Sequence, residues 1–341
     1  MPMKTVPFED LIQSLRSETV PFSVVWEMTN RCNLKCVHCY RGKGEHELGM
    51  AAVTAMLDDL ASCGCLKLTL TGGEPTLRPD FTDIYAYCNK KGFAVTLFTN
   101  GTRFSQEVRE ALQDKPPYAV ECSLHGATAE AHDSVTGVAG SFDATIRNIA
   151  WLLDNRFHVA IKSVMLAVNH HELKGLRDLT RQWGTVFQPT FRVFPILDPD
   201  RPETGLRVPD HVLAAQRSAS PREDTDAGDE PDPNRGEFMC NAGRQACCIS
   251  AEGKIYPCVA LRWECGDLKE RAFSEIWRDS GVLEMIRGYR EEDFKQCFYC
   301  PWKHVCEFCP GMGYGEHGNM LIPSAELCRI TKLTKTVPRE A

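Results

Sequence analysis

Three thiols stand close together near the start of the chain, in Thr29-Asn30-Arg31-Cys32-Asn33-Leu34-Lys35-Cys36-Val37-His38-Cys39-Tyr40. Three cysteines cannot complete the four-thiolate shell of a closed tetrahedral zinc site, and in a four-iron cluster they leave one iron without a protein ligand. An open iron is a place where a substrate can bind. The competing assignment is a zinc site with His38 as the fourth ligand. Further on stands Thr71-Gly72-Gly73-Glu74-Pro75-Thr76. Paired glycines let backbone approach a ligand closely, and a carboxylate beside them can accept an ammonium group. Thr99-Asn100-Gly101 and Ser123-Leu124-His125-Gly126 offer hydroxyl and amide groups suited to a polar ligand. Lys162, in the middle of an apolar run, needs a carboxylate partner if it points inward, and a bound ligand could supply one. A second group of thiols comprises Cys240, Cys247, Cys248 and Cys258, then Cys297, Cys300, Cys306, Cys309 and Cys328. Eight of them could build two four-thiolate sites, either zinc or iron–sulfur.

The elements that must carry these residues alternate between strand and helix. Apolar or β-branched runs over 22–28, 66–71, 93–99, 118–123, 159–168 and 190–196 predict strands, and periodic segments over 51–63, 80–91, 105–113, 142–155 and 171–183 predict helices. Six strands joined by crossover helices imply an α/β fold, a partial (β/α)6 TIM-like barrel. Chemistry in such a barrel sits on loops at the C-terminal ends of its strands, where the motifs fall. Residues 21–197 form this core after a lead-in over 1–20. Residues 198–239, which include SASPREDTDAGDEPDPNRGEF, read as a Pro-rich acidic linker. Residues 240–330 form a small cysteine-rich domain better held by metal clusters than by a core, followed by a tail over 331–341. Ile249 and Ile255 should meet across a small hairpin.

Composition narrows the class. The net charge of −7 provides no basic field for nucleic acid or an anionic membrane. No apolar stretch reaches spanning length and no signal segment is visible, so a cytoplasmic protein is expected. With 17 cysteines, an odd number in a long unsignalled chain, metal ligation explains them better than disulfides. Those outside the motifs, Cys63, Cys65, Cys88 and Cys122 among them, are expected to be small buried hydrophobes.

The early triplet resembles the radical S-adenosylmethionine (SAM) superfamily, whose Cys-x3-Cys-x2-Cys-aromatic motif is matched by Cys32, Cys36, Cys39 and Tyr40. The resemblance implies a 4Fe–4S cluster with an open site for SAM, whose amino group would be held by the GGEP motif, here Gly72, Gly73, Glu74 and Pro75. It also implies that Thr99, Asn100, Ser123 and Lys162 lie around the cosubstrate. The C-terminal pattern resembles the SPASM extension of that superfamily. Its ligation, carried over, assigns Cys240, Cys247, Cys258 and Cys309 to one auxiliary 4Fe–4S cluster and Cys297, Cys300, Cys306 and Cys328 to another, with Cys248 a rival to Cys247. Reductive cleavage of SAM to a 5′-deoxyadenosyl radical is the implied activity, supplied by a flavodoxin- or ferredoxin-type reductant.

Peptide or protein maturation is the leading expectation. The short lead-in leaves no room for an N-terminal leader-binding domain, so peptide recognition is expected from a separate protein or from the barrel mouth. Sulfatase maturation ranks low, because Val259 stands where those maturases place an aspartate. A tetrapyrrole-modifying enzyme is the alternative, with His125, His170 and His171 as haem-related candidates. A non-catalytic zinc or electron-transfer scaffold is the alternative of another class.

Overall fold

The computed structural model describes residues 19–41, 46–194, 205–219 and 240–336. Most of the lead-in and of the acidic linker, the end of the sixth predicted strand and the extreme tail lie outside the described residues. Six parallel strands form the barrel wall: β1 (Ser23–Thr29), β2 (Lys67–Gly72), β3 (Ala94–Thr99), β4 (Ala119–Ser123), β5 (Val159–Val164) and β6 (Val186–Thr190). The crossover helices are α1 (Met50–Ser62), α2 (Phe81–Lys90), α3 (Gln106–Asp114), α4 (Ala129–Thr136), α5 (Ser141–Asp154) and α6 (Leu173–Trp183).

Alternation along each strand sorts the two faces. Trp26, Leu68, Leu70, Leu97, Val120 and Ile161 are fully buried in the core shared with the helices. Each contributes roughly 1.5–3 kcal/mol by leaving water. Their neighbours Thr69, Thr71, Phe98, Glu121 and Lys162 are only half-buried and face the lumen.

Three expectations need revision. The sixth strand is β6 at Val186–Thr190, not the more apolar run after it; Pro189 is tolerated because β6 is the sheet edge. Helix α4 was not foreseen, although its signals are present: Thr128 caps it through Oγ1 to the Ala131 amide (3.4 Å), and Gly137 ends it at φ 68°. Within the predicted linker, Asp210–Ala219 forms a further helix, α7, which packs on the C-terminal helix, Ala325–Thr334.

The cysteine-rich region joins the barrel directly. Strands β7 (Ala246–Ile249), β8 (Lys254–Tyr256) and β9 (Gly266–Asp267) extend the wall to a nine-stranded sheet in the order β6-β5-β4-β3-β2-β1-β7-β8-β9. β7 runs parallel to β1, and the β7–β8 hairpin pairs Ile249 with Ile255 as expected. Helices α8 (Phe273–Asp279) and α9 (Gly281–Gly288) follow, and Phe273, Ile276 and Leu283 belong to the barrel's own core. The Trp277 indole donates to the Thr19 carbonyl (2.6 Å), and the Ser274 amide donates to Asp59 (2.7 Å). The part around α10 (Lys295–Phe298) and α11 (Pro310–His317) rests on a small apolar cluster of Leu261, Ile286, Phe294 and Met320, whereas Ile330 and Leu333 of α12 (Ala325–Thr334) pack against the main core. Among the described residues no helix is long and apolar enough to cross a membrane.

Candidate cluster and cosubstrate site

The cysteine loop leaves β1 and is anchored by backbone hydrogen bonds. Lys35 N donates to Thr136 O (2.8 Å) and Val37 N to Val135 O (2.9 Å), so the end of α4 fixes the middle of the loop. Cys39 N donates to Cys36 O (3.1 Å), closing a turn between two of the thiols. Cys32 and Cys39 lie close enough to repel one another as thiolates.

Gly72 and Gly73 serve this loop. A Cβ on Gly73 would stand 2.1 Å from Arg31 O, and one on Gly72, at φ +138°, would stand 2.5 Å from Thr29 O. In that contact Gly73 N donates to Thr29 O and Glu74 N to Arg31 O, both at 2.8 Å. Gly73→Ala should therefore destabilise the fold by at least about 1–3 kcal/mol through overpacking against backbone. Gly49→Ala, with open space around its Cβ, should be close to neutral. Thermal melting of the two variants checks this, and equal midpoints would remove the steric argument.

Glu74 is densely bonded within the protein. Its carboxylate is fully buried and accepts hydrogen bonds from Thr99 Oγ1 (2.9 Å to each oxygen), Asn100 N (2.7 Å), Thr76 Oγ1 (2.7 Å) and Thr76 N (3.2 Å). Burial pushes its pKa up, against the pull of these donors. With so many donors around it, the side chain braces the ends of β2 and β3. Thr99 and Asn100 belong to the same brace. Asn100 Nδ2 also donates to Asn33 Oδ1 (3.1 Å) and lies 3.9 Å from Cys32 Sγ, tying the brace to the cysteine loop.

Lys162 faces the lumen, and its carboxylate partner is already present: Nζ lies 2.5 Å from Glu121 Oε2 and 4.1 Å from the centre of the Phe98 ring. Ser123 is its register neighbour on β4. Tyr40 is turned toward the C-terminal region. Its hydroxyl donates to Glu27 Oε1 (3.0 Å), and Arg262 binds the same carboxylate through Nη2 (2.6 Å) and Nη1 (3.0 Å). Burial works against ionisation of Glu27, yet the hydrogen bonds and charge of Arg262 outweigh it and hold the pKa below the ordinary value. Burial, followed by the Glu27 charge, raises the Tyr40 hydroxyl.

His125 is not a solvated loop residue. It is buried between His38 (ring centroids 4.8 Å apart) and His132 (5.9 Å), and burial holds its pKa well below the ordinary value, so it is neutral. His132, also lowered mainly by burial, to about 4, accepts the His125 amide at Nδ1 (3.1 Å). His170 and His171 sit apart, in the short turn before α6.

The C-terminal thiols fall into two groups. Cys240, Cys258 and Cys309 line one cavity with Arg244 and Tyr289, and burial pushes Cys258 up to about 12 before the other two thiols add to it. Cys297 feels Cys328, Cys306 and Cys300, and burial raises it to about 11. Thr331 Oγ1 donates to Cys306 Sγ (3.4 Å). Cys247 lies in neither group.

These donor sets fit cysteine-bound clusters. Thiols gather in threes and fours, as ligation of a multi-iron cluster by several cysteines requires. Buried donors or acceptors with no protein partner lie beside thiols: His125 Nδ1 in a ring that packs on His38 of the first triplet's loop, and Arg262 Nε in a guanidinium whose Nη1 is 4.0 Å from Cys248 Sγ. Such groups suit the sulfides of a cluster, which accept hydrogen bonds.

A parallel barrel whose first strand delivers an open thiol triplet, followed by a second cysteine-bearing unit on the same sheet, defines a radical SAM enzyme with a SPASM extension. The chain belongs to the radical SAM superfamily: that family's model matches residues 26–180, and an iron-sulfur cluster-binding domain, SPASM, matches residues 240–307. It uses SAM and cysteine-bound 4Fe–4S clusters. Among its relatives, the AdoMet-dependent heme synthase of Methanosarcina barkeri is 28% identical over 331 residues, covering 88% of this chain and 94% of the relative. Mycofactocin maturase MftC of Mycobacterium tuberculosis is 30% identical over 307 residues, covering 83% and 77%. SuiB of Streptococcus suis, solved with SAM, superposes with a TM-score of 0.70 at 18% identity, covering 96% of this chain and 84% of SuiB. SuiB has also been solved bound to the precursor peptide SuiA.

Glu27, Glu121, Arg262 and the α4 contacts were missed in the sequence. A carboxylate inside an apolar strand was the signal for Glu27 and Glu121. No local pattern could pair Glu27 with Arg262, which stands 235 residues away.

Proposed function

We propose that this enzyme modifies a peptide or protein substrate at the mouth of its barrel. The observation that carries this reading is the lumen itself. Its wall is polar, and the basic side chains Lys162 and Arg262 are each paired with a carboxylate, Glu121 and Glu27. A porphyrin needs a wide apolar cavity and free cations for its propionates, whereas a peptide suits a polar, open groove. The maturase among its relatives agrees with this. The end-to-end match to a heme synthase favours tetrapyrrole modification as a second reading.

In this reading Cys32, Cys36 and Cys39 hold the SAM cluster, while Tyr40, Gly72, Gly73, Pro75, Ser123 and their neighbours surround the cosubstrate. The later thiols hold two auxiliary clusters. When bound, the first cluster supplies the electron that splits the sulfonium and yields the 5′-deoxyadenosyl radical. The chain's own residues fix the geometry: α4 and the glycine pair set the cysteine loop, Glu74 locks Thr99 and Asn100, and the buried neutral histidines keep water from the cluster's flank. A cytoplasmic flavodoxin- or ferredoxin-type protein is the reductant.

The test is 5′-deoxyadenosine formation by anaerobically reconstituted enzyme, with and without the peptides encoded by neighbouring genes, and with iron-coproporphyrin in parallel. Peptide-dependent turnover and a mass change in the peptide are expected. Turnover with the porphyrin alone would replace the peptide reading with the second.

A further inference from the structure

Cys247 and Cys248 compete for one ligand position, and β7 separates them. It pairs with β1 so that Cys247 stands opposite Val24 and Cys248 opposite Val25. Neighbouring strand residues point to opposite faces. Val24 belongs to the helix-facing core, and Cys247 joins it there, 1% exposed, with the thiols of Cys65, Cys248 and Cys265 near enough to act on it. Cys248 turns to the lumen side, where its neighbours are Glu27, Arg262 and Cys258. Arg262 Nη1 lies 4.0 Å from Cys248 Sγ, and Arg262 Nε is buried without a protein partner. Cys258 in turn shares its cavity with Cys240 and Cys309. Three thiols line that cavity, and Cys258 is near enough to Cys248 for its charge to act there.

We propose that Cys248, and not Cys247, is the fourth sulfur ligand of the cluster held by Cys240, Cys258 and Cys309, with Arg262 donating to its sulfurs. This departs from the ligand set implied by family spacing, and it rests on the reading that these thiols hold a cluster at all. Ligation forms one iron–sulfur bond and releases the thiol proton to solvent. Cys247 remains a packed thiol of the core.

The test uses the full chain with Cys32, Cys36 and Cys39 all changed to alanine, so that only the auxiliary clusters contribute. This parent should hold about eight irons after anaerobic reconstitution. Adding Cys248→Ala should remove between about one and four of them and change the electron paramagnetic resonance signal of one cluster, not both. Cys248→Ser, which keeps the volume and an oxygen donor, should retain iron with an altered signal, guarding against a folding defect. Cys247→Ala should match the parent in iron and spectrum. A changed Cys247→Ala beside an unchanged Cys248→Ala would overturn the assignment, as would equal loss in both or no change in either. A parent holding about four irons or fewer would instead sink the two-cluster reading beneath it.

Discussion

Cys36→Ala should reduce SAM cleavage to background and lower the iron content of the reconstituted protein from about twelve to about eight per chain. A triplet reduced to two thiols cannot retain a four-iron cluster with a single open corner, and without that corner the sulfonium has no electron donor. The variant should still fold. The loop is fixed on both sides of Cys36, by Lys35 N to Thr136 O and Val37 N to Val135 O, and neither bond involves sulfur. Loss of activity with unchanged circular dichroism would therefore report ligation rather than collapse. Cys63→Ala, at the half-buried end of α1, is the control and should keep both iron and activity. Residual 5′-deoxyadenosine formation comparable to wild type would remove the triplet from the mechanism.

Arg262→Ala should be the most destabilising single change at the junction between barrel and cysteine-rich unit. The Glu27 side chain is 5% exposed and that of Arg262 17%, and their two hydrogen bonds replace the water each group loses. Removing the guanidinium strands a buried carboxylate beside Tyr40, which costs about 3–5 kcal/mol. The double change Glu27→Gln with Arg262→Met should recover much of that, because no charge is then left unpaired. Urea denaturation of the single and double variants measures both effects. A cost below about 1 kcal/mol for Arg262→Ala, the range of an exposed ion pair, would show that water reaches the junction.

Much of the barrel was legible because its strands alternate cleanly and its helices carry one apolar stripe. The predicted strands over 66–71 and 93–99 lie within a residue or so of β2 and β3. The thiol triplet was legible because its spacing is local. Legibility failed where partners are distant or where polarity misleads. β6 contains Gln188 and Pro189 and is less apolar than the residues after it, so hydropathy chose the wrong segment. Glu74 has the right chemistry to meet an ammonium, and only the folded arrangement of Thr76, Thr99 and Asn100 reveals that it also braces two strand ends. Cys247 and Cys248 are equivalent as letters, and the register of β7 on β1 distinguishes them. The cysteine-rich region looked poor in apolar residues because the core it uses belongs largely to the barrel.

The seam between β1 and β7 has a consequence for how this enzyme could be divided. Excising everything after residue 239 would bare the flank of Ser23–Trp26, an apolar strand with a row of unanswered amides and carbonyls, the kind of surface that recruits foreign chains into fibrous stacks. The half bearing the open iron is therefore not a portable catalytic module, and shuffling it among other proteins would have to carry along at least the Ala246–Ile249 segment as its selvedge.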